Sequence, residues 1–336
     1  MNPNTEKKMI SNGISPMSFQ YRIHGLNINS NKQITLLEQT VDLNTDISVI
    51  FQSGASSSKD WLWEQVQTAD LKKRTSLRFF VSHHELGSFS KVEYNTPEGF
   101  INIVLNPFKN ELWIDYDEKV SKINLESYFV GPIMGSVLRL RGVLCLHASV
   151  VEIRGKAIAF LGQKRSGKST TAATFARMGH RVLADDLGVV SQREGNFYVQ
   201  PGYSRLRLRQ KTVDIIHPEL SASLPLVYSF GDSFYSTLGN NFCEDALPLA
   251  GIYILTLNAT NQAPITPVSL AESLVVMGQN TFGNHIITPK TRKQEFEVLC
   301  GLAIKIPVKR LQIVYDIENI ESQYHAVLND HQQCND

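Results

Sequence analysis

Residues Gly162-Gln-Lys-Arg-Ser-Gly167-Lys168-Ser169 satisfy the pattern G-x-x-x-x-G-K-[ST], and nothing else in this 336-residue chain restricts its fold as tightly. Such a loop requires a strand before it and a helix after it. Residues 157–161 are a short apolar run, and residues 168–178 read as a helix closed by Gly179. In a turn of this kind, backbone N–H groups point inward around a β-phosphate at the helix N-terminus. Lys168 can then reach β- and γ-oxygens, and the Ser169 hydroxyl can hold Mg²⁺. Gly162, Lys164, Arg165, Ser166, Gly167, Lys168, Ser169 and Thr170 form the candidate nucleotide-binding set, with ATP and Mg²⁺ as the expected ligands. Lys164 and Arg165 stand where small residues are common. Either they add positive charge over a γ-phosphate or a substrate carboxylate, or they point to solvent.

Asp185 and Asp186 follow Lys168 by 17 and 18 residues, at the end of the next apolar stretch, residues 181–184. In an open α/β sheet the carboxyl ends of the strands face the ligand crevice. Two carboxylates there can divide the labour, Asp185 taking a proton from an attacking hydroxyl and Asp186 holding a metal ion. An N-cap pair or a solvated turn is the alternative. His147 sits in Leu144-Cys-Leu-His-Ala-Ser-Val, a polar ring in an apolar strand that needs a partner. Such a histidine is either a satisfied core residue or part of the site. Arg205, Arg207 and Arg209 alternate along a strand candidate, so all three can project to one face. Arg205 and Arg207 are candidate contacts for a substrate carboxylate or phosphate, which the guanidinium fork suits. A charged, solvated edge strand is the competing reading.

Composition excludes several classes. Lys+Arg 33 against Asp+Glu 32 leaves a net charge of +1, against the basic excess of a general nucleic-acid binder. Cys145, Cys243, Cys300 and Cys334 are far apart, which suits neither a zinc site nor a disulfide scaffold. The polar start lacks the apolar core of a signal peptide, and no run approaches the ~18 apolar residues of a membrane span. A cytoplasmic protein without membrane contact is expected, and self-association into a homo-oligomer stays open.

Along the chain, residues 18–125 read as a β-rich module of alternating apolar stretches, with further strands at 77–81, 99–105 and 111–116. Gly54-Ala-Ser-Ser-Ser58 is a loop by composition, and Trp61 and Trp63 after it are expected in a core. Residues 125–141 have helical spacing and lead into a second module, residues 126–330. There the strand candidates are 143–152, 157–161, 181–184, 188–192, 196–200, 251–257 and 311–315. Hairpin turns are expected at Arg154-Gly155-Lys156 and Arg193-Glu194-Gly195-Asn196.

The stretch from His147 to Asp186 resembles the catalytic core of HPr kinase/phosphorylase and its relatives. His147 precedes the loop, Ser166-Gly167-Lys168-Ser169 ends it, and Gly179-His180-Arg181-Val-Leu-Ala-Asp185-Asp186 is close to the family's G-H-x-x-x-A-D-D segment. A fainter likeness is Lys305-Ile-Pro-Val-Lys309-Arg310. The family's signature carrying a second metal-binding Glu is not evident after Asp186. In its place stands Gln200-Pro-Gly-Tyr-Ser-Arg-Leu-Arg-Leu-Arg. With Tyr21-Arg-Ile-His-Gly-Leu and Leu138-Arg-Leu-Arg-Gly-Val-Leu-Cys-Leu-His-Ala-Ser, that run is similar to the branch of lasso-peptide kinases, which act on a peptide's C-terminal Ser.

The resemblance implies an α/β fold, with a P-loop, HPr-kinase-like (PEP-carboxykinase-like) C-terminal core and a smaller β-rich N-terminal domain. It implies Asp185 as general base, Ser169 and Asp186 at the metal, and His147 as a catalytic residue that helps order the site. The expected activity is transfer of the γ-phosphoryl group of ATP to a Ser or Thr hydroxyl of a peptide or protein. A small hydroxylated metabolite as acceptor, or a non-catalytic nucleotide-binding regulator, are the other readings.

Overall fold

The structure is a computed structural model that describes residues 19–41, 43–53, 61–71, 75–216, 218, 224–258, 264–314 and 320–333. The polar start, the Ser-rich loop, Tyr315 and Cys334 lie outside these residues. The chain divides into two compact units, Met1–Arg141 with Gly283–Ile287, and Gly142–Phe282 with Thr288–Asp336.

In the first unit, alternating apolar residues build β1 (Phe19–Ile23), β2 (Leu26–Ser30), β3 (Gln39–Thr40), β4 (Ile47–Ser53), β5 (Glu64–Leu71), β6 (Thr75–His84), β7 (Gly87–Thr96), β8 (Gly99–Leu105) and β9 (Glu111–Tyr116). They form one sheet in the order β3-β1-β2-β4-β9-β8-β7-β6-β5. The β2–β4 and β4–β9 pairs are parallel, and the other pairs are antiparallel. Ile50, Phe89, Val104 and Trp113 make a cluster against which the stacked rings of Trp61 and Trp63 pack, so these tryptophans do serve a core.

The unit ends in α1 (Lys122–Tyr128), a π-helical turn (Phe129–Ile133) and α2 (Met134–Leu140). Pro132 lies inside the wide turn, where its missing N–H cannot continue an ordinary ladder. This helical stretch belongs to the first unit, so the units part at Arg141 rather than at the 125/126 boundary expected from sequence. Hydrogen bonds supply the reason. Glu126 accepts from the backbone of Thr35 and Leu36, and Tyr94 Oη lies 2.6 Å from Ser136 Oγ and donates to the Pro132 carbonyl.

The second unit contains β10 (Leu144–Leu146), β11 (Ser149–Ile153), β12 (Lys156–Leu161), α3 (Lys168–Arg177), β13 (Val182–Ala184), β14 (Gly188–Arg193), β15 (Asn196–Gln200), β16 (Arg205–Arg209), α4 (Gln210–Ile216), β17 (Ser233–Thr237), β18 (Leu247–Asn258), β19 (Ile265–Pro267), α5 (Leu270–Gln279), α6 (Pro289–Lys305), β20 (Val308–Val314) and α7 (Ile320–Gln333). Its main sheet runs β10-β14-β15-β18-β12-β11-β13, with β20 on β18 and β19 on β20. β12, β18 and β20 are mutually parallel along their contacts, and β16 pairs only with β17 among the described strands.

Alternation sorts the side chains of this sheet. Val150, Ala157, Ala159 and Leu161 join a core with Met277, Leu299 and Leu302 from α5 and α6. Val151, Ile153, Ile158 and Phe160 join a second core with Phe175 of α3 and Val327 of α7. Apolar residues on both faces of a strand demand cover on both sides, which yields a helix–sheet–helix arrangement. The expected hairpin turns carry Arg154-Gly155 and Glu194-Gly195, all at positive φ.

One expected strand is divided. Residues 143–152 give two strands that part at His147-Ala148, because β10 pairs with β14 whereas β11 pairs with β12 and β13. His147 therefore stands at a junction between strands, with its N–H donating to the Asn280 carbonyl at 2.7 Å.

Candidate active site

β12 delivers the chain into the loop that starts at Gly162, and α3 leaves it at Lys168. Gly162 has a φ of +149°, and a Cβ there would lie 2.6 Å from Ser166 Oγ and 2.9 Å from the Leu255 carbonyl. Glycine is required at that point. Lys168 is buried and donates to the carbonyls of Gly162 at 2.8 Å and Gln163 at 3.2 Å. Burial lowers its pKa, opposed by the charges of Asp186 and Asp185. Ser166 Oγ is buried with no hydrogen-bond partner. Lys164 and Arg165 are exposed at the tip, Arg165 in the left-handed region at φ 73°. The Thr170 hydroxyl turns toward α4, 3.1 Å from that of Thr212.

Asp185 is buried just beyond β13. Ser149 donates to its Oδ1 at 2.5 Å, the Arg207 N–H donates to its Oδ2 at 2.9 Å, and the Ser169 side chain also bonds it. Burial, then the neighbouring Asp186, pushes its pKa well above the ordinary carboxylate value, and those three hydrogen bonds pull the other way. Asp186 takes a left-handed φ of 64°. His147 Nδ1–H donates to the Asp186 carbonyl at 3.0 Å, which fixes the ring's tautomer. Burial lowers the His147 pKa, against the pull of Asp186.

The structure thus brings Lys168, Ser169, Asp185, Asp186, His147 and Arg207 together. Arg207 alternates outward from the buried Leu206 and Leu208, as the pattern required. Its guanidinium lies 3.5 Å from Asp186 Oδ2 and 5.3 Å above the Tyr228 ring. Burial disfavours its charge, but Asp186 and the tyrosines Tyr228, Tyr235 and Tyr203 outweigh this and raise its pKa. Arg205 instead donates to Thr237 Oγ1, and Arg209 pairs with Asp232 at 2.8 Å. Sequence reasoning passed over Ser149 and Tyr228. A lone hydroxyl at the head of an apolar strand was the available signal for Ser149. Tyr228 sits in an irregular loop, and no spacing announces it.

A strand–glycine loop–helix with a buried lysine, facing two carboxylates at the end of β13, the strand next but one in the same sheet, defines a candidate phosphate-handling site on a mixed α/β sheet. No family model matches the chain. HPr kinase/phosphorylase of Clostridium tetani is 25% identical over 162 residues, 44% of this chain and 48% of that protein. HPr kinase/phosphorylase of Clostridium kluyveri is 25% identical over 145 residues, 40% of this chain and 42% of that protein. The chain spans about half the length of the curated relatives it matches. The solved HPr(Ser) kinase/phosphatase from Coxiella burnetii aligns over 57% of this chain and 99% of that one, at 12% identity and a TM-score of 0.30. Part of the chain is therefore similar in sequence to HPr kinase/phosphorylases. No described helix is long and apolar enough to cross a membrane.

Proposed function

We propose that this chain is a phosphotransferase that moves the γ-phosphoryl group of ATP to a Ser or Thr hydroxyl of a peptide or protein, as in the tailoring of peptide natural products. The observation that carries the reading is the buried Asp185 carboxylate, bonded to Ser149, Ser169 and the Arg207 N–H and within the electrostatic reach of Lys168. In the reaction, the acceptor oxygen forms a bond to Pγ as the bond from Pγ to the β,γ-bridging oxygen breaks. Asp185 takes the hydroxyl proton, for which its raised pKa suits it near neutral pH. Lys168 neutralises charge on the transferring group and on the departing ADP.

The residues present fit the expected ligands. Ser166 Oγ is a buried, unsatisfied polar atom in the loop, and it suits a phosphate oxygen. Ser169 and Asp186 offer the hard oxygens that Mg²⁺ prefers, and the remaining ligands would be nucleotide oxygens and water, because the described residues hold no cluster of three or more His, Cys, Asp or Glu. Bound Mg²⁺ would offset phosphate charge. His147 orders the Asp185-Asp186 turn through the Asp186 carbonyl.

The test is mass spectrometry of candidate peptides incubated with ATP and Mg²⁺, beside an Asp185→Asn control. A gain of about 80 Da (one HPO₃) on a Ser or Thr, lost in the variant, supports the reading. Transfer to small hydroxylated compounds but to no peptide would favour a metabolite kinase. Tight nucleotide binding with no transfer would favour a regulator.

A further inference from the structure

We propose that Arg207 is a latch on Asp186: its guanidinium competes with a divalent cation for the Asp186 carboxylate, and the Tyr228 ring holds the guanidinium where it can do so. The proposal rests on the reading of Asp186 as a metal-binding group.

The main chain of Arg207 is fixed. Its N–H donates to Asp185 Oδ2 at 2.9 Å, and β16 is registered on β17 with Arg207 opposite Tyr235. Only the side chain is free to swing. It meets Asp186 through a single Nη1–Oδ2 contact of 3.5 Å, at the outer limit of a hydrogen bond and not the bidentate fork that arginine makes in a permanent pair. The main chain of Asp186 is fixed as well. Its left-handed backbone is held by His147 on its carbonyl, and the next N–H, that of Leu187, donates to the Asp185 carbonyl at 2.8 Å.

Tyr228 is held with equal care. It stacks on Phe230 with ring centroids 5.4 Å apart and planes 8° from parallel. The loop that carries both is closed by three backbone bonds. Val227 donates to Ser233, Tyr235 donates to Pro225, and Gly231 donates to Tyr228, at 2.8, 2.8 and 2.9 Å. The ring face therefore offers the guanidinium a second resting surface by cation–π attraction.

The outcome is a three-part exchange. A dication approaching Asp186 meets the like charge of Arg207 and must displace it. The displaced guanidinium keeps its contact with Tyr228 and turns its donors toward any anion in the site. Cation binding is thereby coupled to anion recognition, and the coupling is reciprocal.

The experiment measures Mn²⁺ binding to the full chain by electron paramagnetic resonance of the free ion, without nucleotide, so that it does not depend on turnover. Wild type is compared with Arg207→Met, Arg207→Lys, Tyr228→Leu and Asp186→Asn, each checked for fold by circular dichroism. Arg207→Met should bind Mn²⁺ about tenfold more tightly, since one like charge close to the ion is removed. Tyr228→Leu should fall between the two, and Arg207→Lys should stay near wild type. Equal affinity in wild type and Arg207→Met, with Asp186→Asn weakened, overturns the latch and leaves the metal role of Asp186 standing. An affinity unaffected by Asp186→Asn removes the metal role, and the competition falls with it. If Arg207→Met does not fold, the Tyr228→Leu comparison decides by the same criteria.

Discussion

Ser149 Oγ donates to Asp185 Oδ1 at 2.5 Å, and the hydroxyl that does so is fully buried. A hydrogen bond to a charged acceptor inside a protein contributes about 1.5–3 kcal/mol, so this contact holds the carboxylate in the orientation and charge state that proton acceptance needs. For the proposed kinase, Ser149→Ala should lower the transfer rate by roughly tenfold or more, the rate equivalent of the lower figure. The Michaelis constant for ATP should stay nearly unchanged, because the Ser149 hydroxyl bonds Asp185 and not a residue of the loop that begins at Gly162. Ser149→Thr should recover most of the rate. Steady-state kinetics on the three proteins decide this, and a rate in Ser149→Ala equal to wild type would remove Ser149 from the mechanism.

Lys168 donates to two loop carbonyls, those of Gly162 and Gln163. A bound β-phosphate offers a charged acceptor in exchange, and a charge-assisted contact is about twice as strong as a neutral one. Lys168→Ala should therefore weaken ATP binding by roughly a hundredfold while the protein still folds. Calorimetric titration with ATP measures it. An affinity within a factor of two or three of wild type would mean that the loop does not hold phosphate through this lysine.

Much of the second unit was legible because its signals are local. The apolar run of β12, the glycines of the loop and the helix closed by Gly179 lie within 24 residues of sequence, and the two hairpins announce themselves by Arg154-Gly155 and Glu194-Gly195. What was not legible depends on partners far along the chain. The interruption at His147-Ala148 exists because β10 takes β14 as its neighbour and β11 takes β12, and neither choice is written in residues 143–152. The 125/126 boundary differs from the observed division into units for a similar reason. Helical spacing reveals a buried helix, but Thr35 and Tyr94 decide which unit buries it, at separations of 91 and 42 residues from Glu126 and Ser136. In the site, the aspartate pair and the arginine strand could be read from spacing. That Arg207 and not Arg205 would meet Asp186 follows from the pairing of β16 with β17, which brings Thr237 opposite Arg205.

Gly162 is the position at which the loop tolerates least. An added methyl group would collide with both the Ser166 hydroxyl and the Leu255 carbonyl, in a backbone conformation that L-residues rarely adopt. Gly162→Ala should lower unfolding stability by about 1–3 kcal/mol and weaken nucleotide binding, as the loop must open to admit the methyl group. Thermal denaturation with and without ATP separates the two effects. A melting temperature and ATP affinity both equal to wild type would show that the loop relaxes at no cost.

The first unit carries a proton-linked weakness at His24. The ring is buried, and Nε2–H donates to the Val130 carbonyl at 3.5 Å. Burial, the larger effect, lowers its pKa from 6.5 to about 4, and the Val130 bond opposes it. Above the unfolded value of 6.5 both states hold a neutral ring, and the histidine leaves stability independent of pH. As pH falls from 6.5 toward 4 the unfolded chain takes up a proton that the folded unit refuses, so stability declines over that window and by about 3 kcal/mol in full. His24→Asn keeps a side chain that tolerates the left-handed φ of 54° and removes the titration. Denaturant midpoints at pH 7 and pH 4.5 should converge more closely in the variant than in wild type. An equal loss in both proteins would assign the acid sensitivity to other groups and return His24 to a purely steric role.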